Sequence, residues 1–99
     1  MPDEPVILIN AFEVPPQDGD WFLAAWEHVG AYMQTQPGYI DTALHQSIAP
    51  GADFQFVNVA RWANADAFQA AIGSPGFAER AAALAAYTSH ASLYRVVRS

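Results

Sequence analysis

Two residue types that carry much of enzyme chemistry, cysteine and lysine, are missing from these 99 residues. Without cysteine the chain has no disulfide, thiolate nucleophile, zinc knuckle or iron–sulfur ligand. Without lysine it has no Schiff-base amine and no phosphate-binding P-loop. Positive charge is scarce as well. Four arginines (Arg61, Arg80, Arg95 and Arg98) stand against ten acidic residues, for a net charge of −6, and they form no run. Gripping phosphate takes clustered positive charge, so neither nucleic acid nor an anionic membrane is expected as a partner. No apolar stretch is long enough to span a bilayer. The acidic start Met1-Pro2-Asp3-Glu4-Pro5 leads straight into a strand pattern, unlike a signal peptide, so a soluble cytoplasmic protein is expected. The spacings of His28, His45 and His90 match no metal-ligand motif, and no metal is expected. Gly73-Ser74-Pro75-Gly76 lacks the spacing of a nucleophile elbow, and Asp3, Glu4, Asp18 and Asp20 read as solvated charge and caps. Any catalysis is left to His, Arg, Asn, Trp, Tyr and carboxylates.

Apolar residues, by contrast, are plentiful. They make up 53% of the chain and include thirteen aromatics, more than one small core can hide. The surplus predicts a subunit interface, a ligand pocket, or both, with a homodimer expected.

Residues 5–14 alternate as a strand that Pro15-Pro16 ends, because proline supplies no ladder donor. Asp18 or Asp20 caps a helix whose apolar positions are Phe22, Ala25, Trp26, Val29 and Met33, stopped by Gln36-Pro37-Gly38. Residues 39–47 and 54–62 form a hairpin with a longish loop. Asn64 caps a short helix through Ile72, and Ser74 with Pro75 opens an alanine-rich one. Residues 93–98 read as a fourth strand. The order is βαββαβ: a ferredoxin-like α+β unit filling residues 1–99 as a single domain, with an antiparallel four-stranded sheet and helices on one face. Its uncovered face would carry Ile7, Ile9, Val57 and Val59, which a second copy would cover.

The third strand, together with the helical region after it, carries the candidate chemistry. Asn58 and Trp62 are four residues apart and so share a strand face. Asn10 belongs to the same helix-facing side, with Phe12 and Phe56; Phe68 and Phe77 lie on the elements that cover it. Two amides on a mostly apolar face suggest a ligand pocket, although bonding each other, a helix end or a water would also satisfy them. Trp62 could equally be core packing whose N–H finds an acceptor. His45, in the odd-numbered set of the hairpin strand with Tyr39, Asp41 and Ala43, is the best titrating candidate; its alternative is a structural or solvent-facing role. Arg80 could orient an enolate, phenolate or carboxylate, or simply pair with Glu79 or Asp66.

In order and spacing, the segments Val6–Phe12, Gln36-Pro37-Gly38-Tyr39, Phe54–Trp62 and Ser74-Pro75-Gly76-Phe77 together resemble the antibiotic biosynthesis monooxygenase family. The resemblance covers nearly the whole chain and implies a dimeric α+β barrel with sites between sheet and helices. Cofactor-free members that turn polyketide anthrones into quinones have an Asn and a Trp spaced as Asn58 and Trp62 are. They also have a histidine matching His45 and an arginine matching Arg80. Their tyrosine six residues after the tryptophan is Phe68 here. The haem-degrading branch shares Asn10, but its helical tryptophan and haem-ligating histidine fall on Ala71 and Ala81, so haem breakdown is not expected.

The expectation is therefore a cofactor-independent monooxygenase that takes an apolar aromatic, polyketide-like molecule and molecular oxygen, and needs no cofactor. Asn58, Trp62, His45 and Arg80 would be catalytic; Asn10, Phe12, Phe56, Phe68 and Phe77 would bind substrate. Two other classes stay open: a small-molecule binding dimer without oxygenase activity, and an isomerase or cyclase using His45 in acid–base work.

Overall fold

Branched Val6, Ile7 and Ile9 begin the first strand, and the proline pair after Val14 ends it. In the computed structural model, which describes residues 4–99, this strand is β1, Val6–Glu13. Residues 1–3, part of the acidic start, lie outside the described residues. Pro16 opens a 3-10 turn, Pro16–Asp18, that leads into helix α1, Gly19–Met33. Strands β2, Tyr39–Gln46, and β3, Phe56–Trp62, form the hairpin. Helices α2, Ala65–Ile72, and α3, Pro75–Ala81, come next, then a 3-10 segment, Ala82–Ala86, and strand β4, Thr88–Tyr94. This is the expected βαββαβ order of a ferredoxin-like α+β fold.

The sheet runs β2-β3-β1-β4 with every neighbouring pair antiparallel. Register decides what each face holds. Leu8 pairs with Ala60, Asn10 with Asn58 and Phe12 with Phe56, so even-numbered residues of β1 and β3 share the inner face. β2 also pairs even with even, Thr42 with Ala60 and Leu44 with Asn58, whereas β4 contributes its odd-numbered Ser89, Ala91 and Leu93. Helices cover this face in two apolar clusters. One gathers Leu8, Ala60 and Trp62 with Phe68 and Ala71 of α2. The other gathers Phe12, Val14 and Phe56 around Phe22 of α1. Asn10 and Asn58 lie between them along the strands.

Local chemistry fixes the connections. The Asn64 side chain accepts the Ala67 N–H at 2.8 Å, as expected of a cap. Ser74 Oγ accepts the Phe77 N–H at 3.4 Å, donates to the Ala71 carbonyl at 2.7 Å, and bonds the Tyr32 hydroxyl at 2.7 Å, tying α3 to α1. Gly38 turns the chain at φ +88°, where a Cβ would stand 2.5 Å from Ala67 Cβ.

The last strand departs from expectation, beginning at Thr88 rather than near Leu93. Pairing runs from Glu13–Thr88 to Ile7–Tyr94 and stops where β1 runs out, leaving Val96 and Val97 exposed. Thr88–Ser92 shows no apolar alternation because its inward residues are the small Ser89 and Ala91. The helix before it also ends early as α-helix, tightening to 3-10 at Ala82.

Candidate active site

Small residues on β4 and paired amides at mid-sheet keep the two apolar clusters from closing on each other. Between sheet and helices lies a cavity of about 360 Å³, within the usual range for small-molecule sites, about 300–1,000 Å³. Asn10, Thr42, Asn58, Trp62, Ser89 and Ala91 form its sheet side. Trp26 and Met33 of α1, Phe68 and Ile72 of α2, Phe77 of α3, and Tyr87 are among the residues covering it. Among the described residues the lining contains no carboxylate, imidazole or guanidinium.

Asn10 and Asn58 are direct cross-strand partners, which puts their Cβ atoms roughly 4.5–5.5 Å apart. They do not satisfy each other. Asn10 Oδ1 is buried without a hydrogen-bond partner, while Asn58 Oδ1 accepts from the Thr42 hydroxyl at 2.7 Å. Trp62 is 1% exposed, and Tyr39 and Phe68 hold its ring in edge contacts at 5.6 and 5.7 Å. Its Nε1–H is likewise buried and unpaired. Among the described residues these are the two buried side-chain polar atoms left without a partner, one acceptor and one donor, and both belong to residues lining the cavity. Leaving each unmet costs about 1–3 kcal/mol. Burial, and secondarily the Asp41 carboxylate, push the Tyr39 phenol above its usual pKa. Burial and the Asp18 carboxylate do the same for Tyr87. Both phenols therefore stay neutral at physiological pH.

Asn10, Phe12, Asn58, Trp62, Phe68 and Phe77 all line the cavity. Three other expected site residues do not. Phe56 is packed away beside it, stacked on Phe22 at 4.6 Å. His45 pairs with Val57 and shares the outer face of the sheet, its ring Nδ1 lying 3.2 Å from the Val57 carbonyl. The odd-numbered set of β2 faces outward because the hairpin pairs even with even; only Tyr39, across a register shift, turns in. Arg80 donates to the Gly76 carbonyl at 3.0 Å and lays its guanidinium 4.6 Å from the Tyr32 ring centroid. The interactions seen for Arg80 replace the ion pair with Glu79 or Asp66 and turn the charge away from the cavity. Thr42, Trp26, Tyr39 and Tyr87 were absent from the sequence-based site.

Neither Ala71 nor Ala81 can ligate a metal, and among the described residues no group of three or more His, Cys, Asp or Glu side chains is gathered as a metal site. No described helix is long and apolar enough to cross a membrane. The cavity can hold a small, mainly apolar molecule, with the side chains of Asn10, Asn58 and Trp62 among its polar lining.

Known proteins resemble this chain in sequence and fold. Deoxynogalonate monooxygenase of Streptomyces nogalater is 31% identical over 84 residues, 85% of this chain and 69% of that protein. A point variant of SnoaB, a cofactor-independent oxygenase from the same organism, superposes with a TM-score of 0.84 at 29% identity, covering 97% of this chain and 96% of the other. A candidate monooxygenase from Shewanella loihica superposes at 0.82 with 38% identity and 97% coverage of both chains. A dimeric Bacteroides fragilis protein of ferredoxin-like fold, 15% identical, shares the fold at 0.76 and covers 93% of this chain and 96% of that one. The model of the antibiotic biosynthesis monooxygenase family matches residues 5–90, and the chain belongs to that family.

Proposed function

We propose that this protein is a cofactor-independent monooxygenase of a hydroxylated polycyclic aromatic, of the polyketide anthrone or naphthol kind. The observation that carries the reading is the pair of unmet polar atoms, Asn10 Oδ1 and Trp62 Nε1, on residues that line a mainly apolar cavity with no charged side chain among the described residues. Relatives that are cofactor-independent and act on deoxynogalonate support it. The chemistry balances without a reductant. A ring methylene becomes a carbonyl, one oxygen atom enters the product and the other leaves as water, and the substrate supplies all four electrons. An electron-rich phenolate or carbanion hands the first electron to oxygen directly, so the protein has to favour that anion and hold it dry. Trp62 Nε1–H and the Asn58 amide donate to the substrate oxygen that gains charge, and Asn10 Oδ1 accepts from a substrate hydroxyl. Phe12, Phe68 and Phe77 clasp the rings. The proton leaves to solvent, since neither His45 nor Arg80 reaches the cavity from its own chain.

The outer sheet face carries Ile7, Ile9, Val57 and Val59, flanked by the Arg61–Asp41 and His90–Glu13 pairs. In a molecule only 17 Å thick nothing among the described residues covers this face, and a second sheet packed on it makes a dimeric α+β barrel. Oxygen uptake by metal-free, flavin-free protein against a panel of hydroxylated anthrones and naphthols tests the activity, with protein-free buffer as reference. Uptake above buffer supports the oxygenase. Product formed without oxygen would favour a cyclase or isomerase, and binding without product a carrier.

A further inference from the structure

Among the described residues the Asn58 side chain has one hydrogen-bonding neighbour, Thr42, and that contact bears on which end of the amide a ligand meets. We infer that Thr42 is a positioning residue that locks the Asn58 side chain with its NH2 group toward the cavity, making Asn58 a donor; the inference rests on the oxygenase reading for its catalytic consequence. Thr42 lies on the inner face of edge strand β2, opposite Ala60 and diagonal to Asn58. Its hydroxyl proton has two acceptors within reach, Asn58 Oδ1 at 2.7 Å and the Val59 carbonyl at 3.4 Å. The shorter contact takes the proton. Threonine is stiff at χ1, so the hydroxyl is held there before any ligand arrives.

The reversed amide is disfavoured. Turning Asn58 over would set its NH2 group against the Thr42 hydroxyl and leave that hydroxyl's proton only the longer contact to the Val59 carbonyl. With Thr42 holding the oxygen, the cavity instead meets Asn58 as a donor. A donor aimed in advance at the place where charge develops needs no reorganisation when the substrate ionises. Thr42 acts through Asn58 and does not itself donate to the substrate.

The experiment compares Thr42→Val, which keeps the shape and loses the hydroxyl, with Thr42→Ser, which keeps the hydroxyl. Oxygen uptake by Thr42→Val should show kcat lowered roughly two- to tenfold with KM little changed, the size expected from losing one ordinary hydrogen bond. Thr42→Ser should restore most of the rate. In an Asn58→Ala background Thr42→Val should have no further effect, because its partner is gone. A wild-type kcat in Thr42→Val, a Ser variant as poor as Val, or an undiminished Val effect without Asn58 would each overturn the assignment. NMR supplies an arm independent of turnover. The Asn58 13Cγ resonance should move upfield in Thr42→Val and return in Thr42→Ser, without ligand. An unmoved resonance refutes the lock even if the enzyme is active; a moved resonance in a protein that consumes no oxygen keeps the lock and refutes the oxygenase.

Discussion

Replacing Asn10 with leucine should make the empty protein more stable and the working protein worse. Asn10 Oδ1 is buried with no partner, although the side chain lines the cavity. An unmet buried acceptor costs about 1–3 kcal/mol, and Asn10→Leu removes it while adding apolar contact with Leu8 and Phe12, its neighbours on the inner face. The cavity of about 360 Å³ leaves space for the larger side chain. For a domain of this size each 1 kcal/mol moves Tm by roughly 4–8 °C, so the variant should melt several degrees above wild type. Substrate should reverse the ranking. A ligand at about 100 times its Kd stabilises wild type by roughly 2.7 kcal/mol, and Asn10→Leu should gain less because the acceptor for the ligand's hydroxyl is gone. Thermal melts with and without a hydroxylated anthrone, at one fixed protein concentration, read both effects. If Asn10→Leu melts several degrees lower and still binds as wild type does, Asn10 is a structural amide with partners of its own, and the reasoning fails.

Two other outcomes are expected from the geometry. Gly38→Ala should destabilise by about 1–2 kcal/mol from its left-handed backbone alone, and by more because the new Cβ would meet Ala67 at 2.5 Å; a urea midpoint equal to wild type would contradict this. The Tyr39 and Tyr87 phenols hold their protons more tightly folded than unfolded, so above about pH 10 the unfolded chain binds fewer protons and stability falls as pH rises, with no slope from them at neutral pH. Urea midpoints across that range should flatten in Tyr39→Phe and Tyr87→Phe, and an unchanged slope would show that the phenols are not perturbed.

Most of the fold could be read from alternation and punctuation. Val6–Phe12 alternates, Asn64 and Ser74 are placed to cap, and the structure uses both caps. The fourth strand could not be read, because its inward side chains are the small Ser89 and Ala91, which leave cavity space and therefore no apolar pattern. The site splits along a similar line. Asn10, Asn58 and Trp62 were legible because two strands with even spacing point them to one face. His45 was placed by its chemistry rather than its register, and the number of residues in the hairpin loop did not fix which parity of β2 faces inward. Arg80 stands on a short helix, Pro75–Ala81, whose rotation about its axis decides between the cavity and Tyr32, and no sequence pattern resolves that. Thr42 was missed because a lone threonine on a strand is ordinary until its partner is known.

If the cavity beneath Asn10, Asn58 and Trp62 directs one oxygen atom into a bound aromatic with no cofactor, turnover under 18O2 followed by mass spectrometry of the product reads it out. Metal-free, flavin-free wild type should form product carrying one 18O atom at a rate above protein-free buffer, and Asn58→Ala should lower that rate while remaining folded; loss of one preorganised donor of this kind costs about 2.7–4 kcal/mol of barrier by analogy with oxyanion holes. Label incorporated no faster with wild type than with Asn58→Ala or with buffer, across the anthrone and naphthol panel, would contradict the account.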